Sequence, residues 1–355
     1  YYRTDWTTTL AYSKTIAENH NVSALAGYEE ISTTINRWGA TRSNITDPFF
    51  TSYQGGFTNI VAANNLVSEN GFVSYFFNLN YNFKSRYLIS GTFRRDGYSG
   101  LADGNEFGNF SGVSVGWNIS EESFFKNSFL GNTLNYLQLK ASYGQVGNVD
   151  IGDFPSLGLY NAGTYAGTPA LGFSQAGNPG LQWETSKKTN IGFNLALFGN
   201  RITIEADYYN NVTDGLILNA KQAPSKGIPG NTISANVGSM YNTGFEISIG
   251  ADVVRNGTLN WNINTNFSTL KNRVTTLADG IDIYTPSNFG IQNITREGYS
   301  VGSIFAVPTV GVNPANGRRV YVNRNDDLVQ YNHAGPNRWT YLDDTVAPAI
   351  DNYLD

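Results

Sequence analysis

The 355-residue sequence contains no cysteine and only two histidines. Without cysteine there is no disulfide framework, no thiolate metal site and no cysteine nucleophile. Two histidines leave no room for a histidine-rich metal centre. Charge is scarce as well: 14% of the residues are charged, against about 25% in an ordinary soluble domain. The net charge of −5 argues against nucleic acid as a partner. No apolar run approaches the ~18 residues that a membrane helix requires, and no helical period stands out. What is present in excess is asparagine, roughly one residue in eight, together with 38 glycines and 14% aromatics. That aromatic content is too high for a disordered acidic chain.

The apolar residues recur with a period of two. In 71–83, Val73, Tyr75, Phe77, Leu79, Tyr81 and Phe83 share one parity, while Ser74, Asn78, Asn80 and Asn82 hold the other. In 258–269, Leu259, Trp261, Ile263 and Phe267 alternate with Asn260, Asn262, Asn264, Asn266 and Ser268. The same alternation marks Ile191 to Leu197, Ile202 to Tyr208, Phe245 to Ala251, Tyr87 to Phe93, Val113 to Ile119, Leu137 to Tyr143 and two segments before residue 30. About ten strands result, each with one apolar and one polar face.

A soluble sandwich would show the same alternation, so the connections decide. Short turns fall at 17–21, Lys84–Ser85, Gly199–Asn200 and 255–257, with a shorter connection at 120–133. Between them come long connections at about 32–70 and about 145–183, a medium one at 97–109, a loop from 212 to about 235, and a long stretch from 272 onward. Short and long alternate, so in an up-and-down meander all the long loops gather at one end. That is the layout of a transmembrane β-barrel with short periplasmic turns and long extracellular loops. In such a barrel the apolar face meets lipid and the Asn/Ser/Thr face lines a wet lumen, so little charge is needed.

Several segments carry a family resemblance. Arg94-Arg95-Asp96-Gly97 followed by GVSVGWNISEESFF (112–125), LQLKASYGQVGN (137–148), the stretch from Asn178 to Tyr209, Asn236-Val237-Gly238 with Asn242-Thr243-Gly244-Phe245-Glu246, and NFSTLKNRVTTL (266–277) resemble, in order, motifs of the SusC/RagA family of TonB-linked outer-membrane proteins of Bacteroidetes. One departure is local: YSGLADGNEFG follows the R-x-D-G, where the family usually has S-S-R-F-G. The other is extent. The resemblance implies a 22-stranded barrel preceded by a plug domain, a TonB box and an N-terminal domain, and none of these N-terminal parts is found in residues 1–355. The expectation is therefore an internal piece of an all-β, antiparallel up-and-down barrel.

The resemblance implies an importer of oligomeric nutrients, glycan or peptide, in the outer membrane of a Gram-negative bacterium. It implies a SusD-like surface lipoprotein as lid, TonB–ExbB–ExbD engaged through the N-terminal part, and contact with the lipid bilayer and lipopolysaccharide. Loops 32–70 and 145–183 would then form the lipoprotein docking surface or the substrate rim. The alternative is a SusC-like structural or accessory subunit of a larger outer-membrane assembly or secretion complex. A third, soluble or surface-attached β-rich adhesin, would extract into buffer without detergent.

The remaining signals are bland. Gly112-Val113-Ser114-Val115-Gly116 matches a G-x-S-x-G elbow in letters only, because it lies within a strand pattern. Asp326–Asp327 and Asp343–Asp344 read as solvated loop carboxylates rather than calcium ligands. Trp38, Phe49, Phe50, Tyr53 and Trp339 read as loop aromatics that could equally stack on sugars. Arg94 and Arg95 straddle the two faces, so at most one enters the lumen, where it could pair with substrate acids or plug carboxylates. No cofactor and no catalytic set is expected. The chain reads as a conduit or binder, not an enzyme.

Overall fold

Strand-forming residues with period-two alternation give one dominant antiparallel sheet. The structure is a computed structural model and describes residues 1–346 apart from 46, 50–55, 279–281, 287–291, 307–308, 324 and 335–337. It divides into two units, Tyr1–Ile281 and Asp282–Asp355.

The first unit runs β1 (Tyr2–Ile16), β2 (His20–Ile45), β3 (Phe57–Phe83), β4 (Tyr87–Tyr98), β5 (Phe107–Asn118), β6 (Leu134–Asn148), β7 (Leu159–Tyr165), β8 (Thr168–Gln175), β9 (Glu184–Leu197), β10 (Ile202–Lys221), β11 (Thr232–Arg255), β12 (Asn260–Ser268) and β13 (Lys271–Thr276). The sheet order is β1-β2-β3-β4-β5-β6-β9-β10-β11-β12, with β13 paired to β11 beyond the end of β12. β7 and β8 form a separate hairpin. Ten successive sheet positions match the alternation in the sequence. Among the described residues, no helix is long and apolar enough to cross a membrane.

The tight turns hold non-glycine residues in the left-handed region: Ala17 and Glu18 in one, Lys84 and Ser85 in another. Each connection has three residues, 17–19 and 84–86, and the positive φ of its first two resembles the primed hairpin turns, whose twist suits the flanking strands.

Register places every apolar set on one face. Ile16 pairs with His20, His20 with Phe83, Phe83 with Tyr87, Tyr87 with Trp117, Trp117 with Leu139 and Leu139 with Phe193; the row continues to Ala206, Ile247 and Phe267. One residue away, a polar row crosses Thr15, Asn21, Asn82 and, further along, Lys140, Asp207 and Glu246. Many apolar-face side chains are exposed, among them Leu10, Ile89, Val115, Ile191 and Phe267. That is expected of a face whose solvent is lipid.

Strands extend further than the sequence pattern indicates. The expected 32–70 loop is mostly strand: β2 reaches Ile45 and β3 begins at Phe57. β1 ends its pairing opposite Thr34 and β4 opposite Phe72, so beyond those points β2 and β3 continue as a two-stranded ribbon. A register shift lies between Arg37 and Gly39. The ribbon is wetted on both faces, so it shows no clean alternation to read. The same correction applies to 212–235, where β10 and β11 leave only 222–231 as connection, and to 97–109, which shrinks to 99–106. The 145–183 connection contains the β7–β8 hairpin. The 120–133 connection is not a tight turn but carries three short helical turns, Ile119–Glu121, Ser123–Lys126 and Phe129–Asn132.

The second unit holds two small sheets. The first is β14 (Ile283–Pro286), β15 (Gln292–Thr295) and β16 (Ser303–Phe305); the second is β17 (Thr309–Val312), β18 (Arg319–Val322), β19 (Leu328–Tyr331) and β20 (Trp339–Tyr341). Val329 is fully buried beneath Tyr321, Trp339 and Tyr341. On the other face, buried Gln330 accepts from Asn313 at 2.9 Å and donates to the Tyr341 carbonyl at 3.0 Å.

Candidate functional site

The polar face of the main sheet is a wall of short amides and hydroxyls that bond one another across strands. Ser90 and Ser114 hydroxyls meet at 2.6 Å, Thr15 donates to Asn21 at 2.6 Å, and Asn272 donates to Asn242 at 2.6 Å. Ser114 is therefore a mid-strand ladder residue, with no elbow geometry.

Two clusters of paired charges stand out on this surface among the described residues. In the first, Lys140 on β6 reaches Glu205 at 2.6 Å and Asp207 at 2.9 Å on β10. Gly192 on β9 lies between these strands. A Cβ there would collide with the Asp207 carboxylate and the Ala206 carbonyl, so only glycine leaves Asp207 its seat.

The second lies where the wall meets the long connections. Arg94 and Arg95 do straddle the two faces. Arg94 points to the polar side, bonding Asp96 at 2.6 Å, Glu29 at 3.0 Å and the Ser74 hydroxyl at 2.8 Å. It thereby ties β2, β3 and β4 together. Arg95 lies on the apolar face, with its guanidinium 4.8 Å from the centre of the Phe107 ring. Next to Arg94 opens a cavity of about 570 Å³, whose lining includes Glu29, Asp96, Tyr98, Asp150, Asp153 and Trp183. Four carboxylates and a single guanidinium thus line the cavity, and Arg94 bonds two of them, Glu29 and Asp96.

This rim is built by folding the 149–183 connection back onto the strand ends. Tyr98, Leu101, Val149 and Leu181 form a buried cluster, backed by Phe72, Ile151, Trp183 and Ile217. The Tyr98 hydroxyl donates to the Gly152 carbonyl at 2.5 Å, and Asn70 donates to Asp153 at 2.8 Å. Tyr98 sits at the outer tip of β4, past the apolar band. Burial, reinforced by Asp153 and Asp150, pushes its phenol up to about 12, so it remains a neutral donor at any physiological pH. Trp183 donates to the Glu106 carbonyl at 2.8 Å and meets Phe110 edge-on at 5.4 Å. Its indole is held in place as part of the wall.

Other sequence candidates fall apart spatially. Trp38 and Phe49 are largely exposed, whereas Phe50 and Tyr53 lie outside the described residues. Trp339 is a strand residue, packed edge-on between Tyr321 and Tyr331. Asp344 pairs with Arg318 at 2.6 Å, and Asp343 accepts from the Thr345 hydroxyl at 2.5 Å. Among the described residues no group of three or more His, Asp or Glu side chains is arranged to hold a metal ion. Lys140, Asp150, Asp153 and Trp183 were not singled out in the sequence. Lys140 has a readable strand parity, but Asp150, Asp153 and Trp183 lie in a connection, and grouping them needs the fold-back of 149–183.

A meandering wall with an exposed apolar face, a hydrogen-bonded polar face and long connections gathered at one end defines a section of a transmembrane β-barrel with a solvent-lined lumen. The chain belongs to the TonB-dependent receptor family: the pattern described as "TonB dependent receptor-like, beta-barrel" matches residues 1–353. It is 36% identical over 309 residues to TonB-dependent receptor P39 of Formosa agariphila, covering 85% of this chain and 28% of that protein. It is 34% identical over 223 residues to TonB-dependent receptor SusC of Bacteroides thetaiotaomicron, covering 61% of this chain and 22% of that protein. Among solved structures, the RagAB peptide importer in its open-open state aligns with a TM-score of 0.80 at 27% identity, over 98% of this chain and 37% of that one. The chain therefore spans between about a fifth and three tenths of the length of these curated relatives. The SusC/RagA resemblance read from the sequence holds, and so does the partial-barrel fold. The family is one of outer-membrane transporters.

Proposed function

We propose that this chain forms part of the barrel wall of a SusC-like importer in the outer membrane of a Gram-negative bacterium, taking up an oligomeric glycan or peptide. The observation that carries this reading is the rim cavity beside Arg94. It opens on the polar face at the long-connection end, where a ligand arriving from outside first meets the wall. Its mix of a fixed indole and several carboxylates suits a hydroxyl-rich or amine-bearing oligomer, with aromatic stacking and charge-assisted hydrogen bonds. Arg94 orders Glu29 and Asp96 and presents its remaining donors to the ligand.

A SusD-like lipoprotein lid is the proposed partner. Its docking surface is the β2–β3 ribbon, which leaves the sheet and exposes Trp38, Ile60, Val61 and Val67. TonB and its energising partners would act through parts of the protein other than this wall, and the chain itself carries out no chemical conversion.

The decisive experiment is isolation of the parent complex from its native membrane, followed by growth on candidate oligomers after gene deletion. A co-purifying lipoprotein and loss of growth on one oligomer class support the proposal. Co-purification with a multi-subunit assembly apparatus, with uptake unchanged, overturns it in favour of an accessory subunit.

A further inference from the structure

The connection between β5 and β6, residues 119–133, is the outlier of the short-turn end. Its neighbours there are tight turns, whereas it holds three short helical turns. The strand register fixes which side of the wall it occupies. Tyr87 and Trp117 are directly opposed across β4 and β5 on the apolar face, in the row that contains Phe83 and Leu139. The Glu122 carboxylate accepts from both: from the Tyr87 hydroxyl at 2.6 Å and from the Trp117 indole at 3.2 Å. Arg86 reaches its other oxygen at 3.3 Å. A carboxylate that caps two apolar-face rings lies on the apolar side, so the connection folds outward under the lipid-facing surface rather than inward beneath the lumen.

The connection is also compact. Phe125 is buried, and Gly131 sits so close to the Phe125 and Lys126 carbonyls that a Cβ would strike them. With Phe125 committed inside, Phe124 and Phe129 are left 62% and 86% exposed. The strand margin to which Glu122 ties this connection carries a run of rings: His20 lies 4.7 Å from Phe83, and Phe83 is stacked 6.3 Å from Tyr87. Lys126 pairs with Glu121 at 2.6 Å, leaving little net charge on the segment. Aromatic side chains at the margin of an apolar band reside in the headgroup–acyl boundary of a bilayer.

We propose that residues 119–132 form an interfacial foot, whose Phe124 and Phe129 insert into the phospholipid leaflet at the short-turn end of the barrel. The occupant is lipid because Glu122 fastens the segment to two rings of the lipid-facing band, and the same segment leaves Phe124 and Phe129 exposed. This role is separate from import and holds whatever the cargo.

The test uses the full-length protein reconstituted in phospholipid nanodiscs, carrying an environment-sensitive fluorophore on Phe129→Cys as its one reactive thiol. The probes are phospholipids brominated near the headgroup end of the acyl chain and, separately, aqueous iodide. The expected result is at least a twofold loss of emission with brominated lipid and protection from iodide. The same label on Ala166→Cys, at the tip of the β7–β8 turn, should respond to iodide alone. Quenching of the Phe129 label by iodide with none by brominated lipid would overturn the proposal. So would shielding from both quenchers, which would indicate a protein neighbour. Should Phe129→Cys fail to reach the heat-modifiable folded form, Asn127→Cys, exposed on the same segment, gives the same reading.

Discussion

The two ends of the wall solve opposite problems. At the short-turn end, rings crowd the apolar face and one carboxylate, Glu122, satisfies their polar atoms from outside. At the long-connection end, the polar face gathers carboxylates around one guanidinium, and a small apolar cluster pins the connection that closes over them. Apart from the 119–133 connection, the first end is fixed through short backbone turns. The second depends on a 35-residue excursion that must find its own core. The contrast shows how one alternating pattern serves two tasks: anchoring where the chain turns sharply, and recognition where it wanders.

The largest expected effect is at the long-connection end. Leu181 is fully buried in the rim cluster, and Leu181→Ala should cost about 2–5 kcal/mol of local stability. Hydrogen exchange should then accelerate across 149–183 while Trp117 and its neighbours keep their protection. Equal acceleration at both ends would mean that the wall unfolds as one unit. Next comes the pair of arginines. Arg94→Met removes a half-exposed guanidinium from two carboxylates, which is worth roughly 1 kcal/mol in stability after screening, and it should also weaken ligand binding at the rim. Arg95→Met forfeits one exposed cation–π contact, about 0.5–1 kcal/mol, with binding unchanged. Equal binding losses by titration calorimetry would remove the distinction between the two faces.

At the short-turn end the effect is pH-linked. Hydrogen bonds from Tyr87 and Trp117, and then the charge of Arg86, hold the Glu122 carboxylate below its ordinary range. Because the folded value is the lower one, this stabilisation is fully present above the unfolded glutamate pKa of about 4.3 and fades as pH falls through the folded value. Glu122→Gln should flatten the denaturant midpoint against pH across that acidic window. A variant curve parallel to wild type would assign the acid sensitivity elsewhere. The smallest effect is expected at the turn. Replacing Lys84–Ser85 with Asn–Gly relieves two non-glycine residues of positive φ and should stabilise by about 0.5–1 kcal/mol, read as a modest rise in denaturant midpoint.

Much of the wall was legible because lipid on one side and water on the other impose strict alternation. Val73 to Phe83 could hardly be read otherwise, but the turn is 84–86 rather than Lys84–Ser85 alone, and that one extra residue is what pairs Phe77 with Phe93 instead of Thr92. Legibility fails where that asymmetry ends. The ribbon of β2 and β3 is wetted on both faces, so Ile35 to Ile45 carries no face signal and reads as loop. The site was half-visible: Arg94 announced itself by parity, but Asp150, Asp153 and Trp183 reach it only after the chain doubles back. Lys140 and Asp207 lie on strands separated in sequence by the whole 149–183 excursion. Their meeting depends on β6 pairing with β9, which nothing local specifies.

The cross-strand row that begins at Ile16, beside a tight turn, ends at Ile247 and Phe267, some seven or eight residues above the turn joining β11 to β12. With ~3.3 Å per residue along a strand and ~4.8 Å between strands, that climb corresponds to a tilt of about 30°. The polar rows climb with it. The hydroxyls and amides facing the lumen are therefore arranged as a screw thread rather than as stacked hoops. A flexible polymer exchanging one row of hydrogen bonds for the next along this thread would rotate as it advanced. For an oligomeric cargo, rotational freedom would matter as much as width.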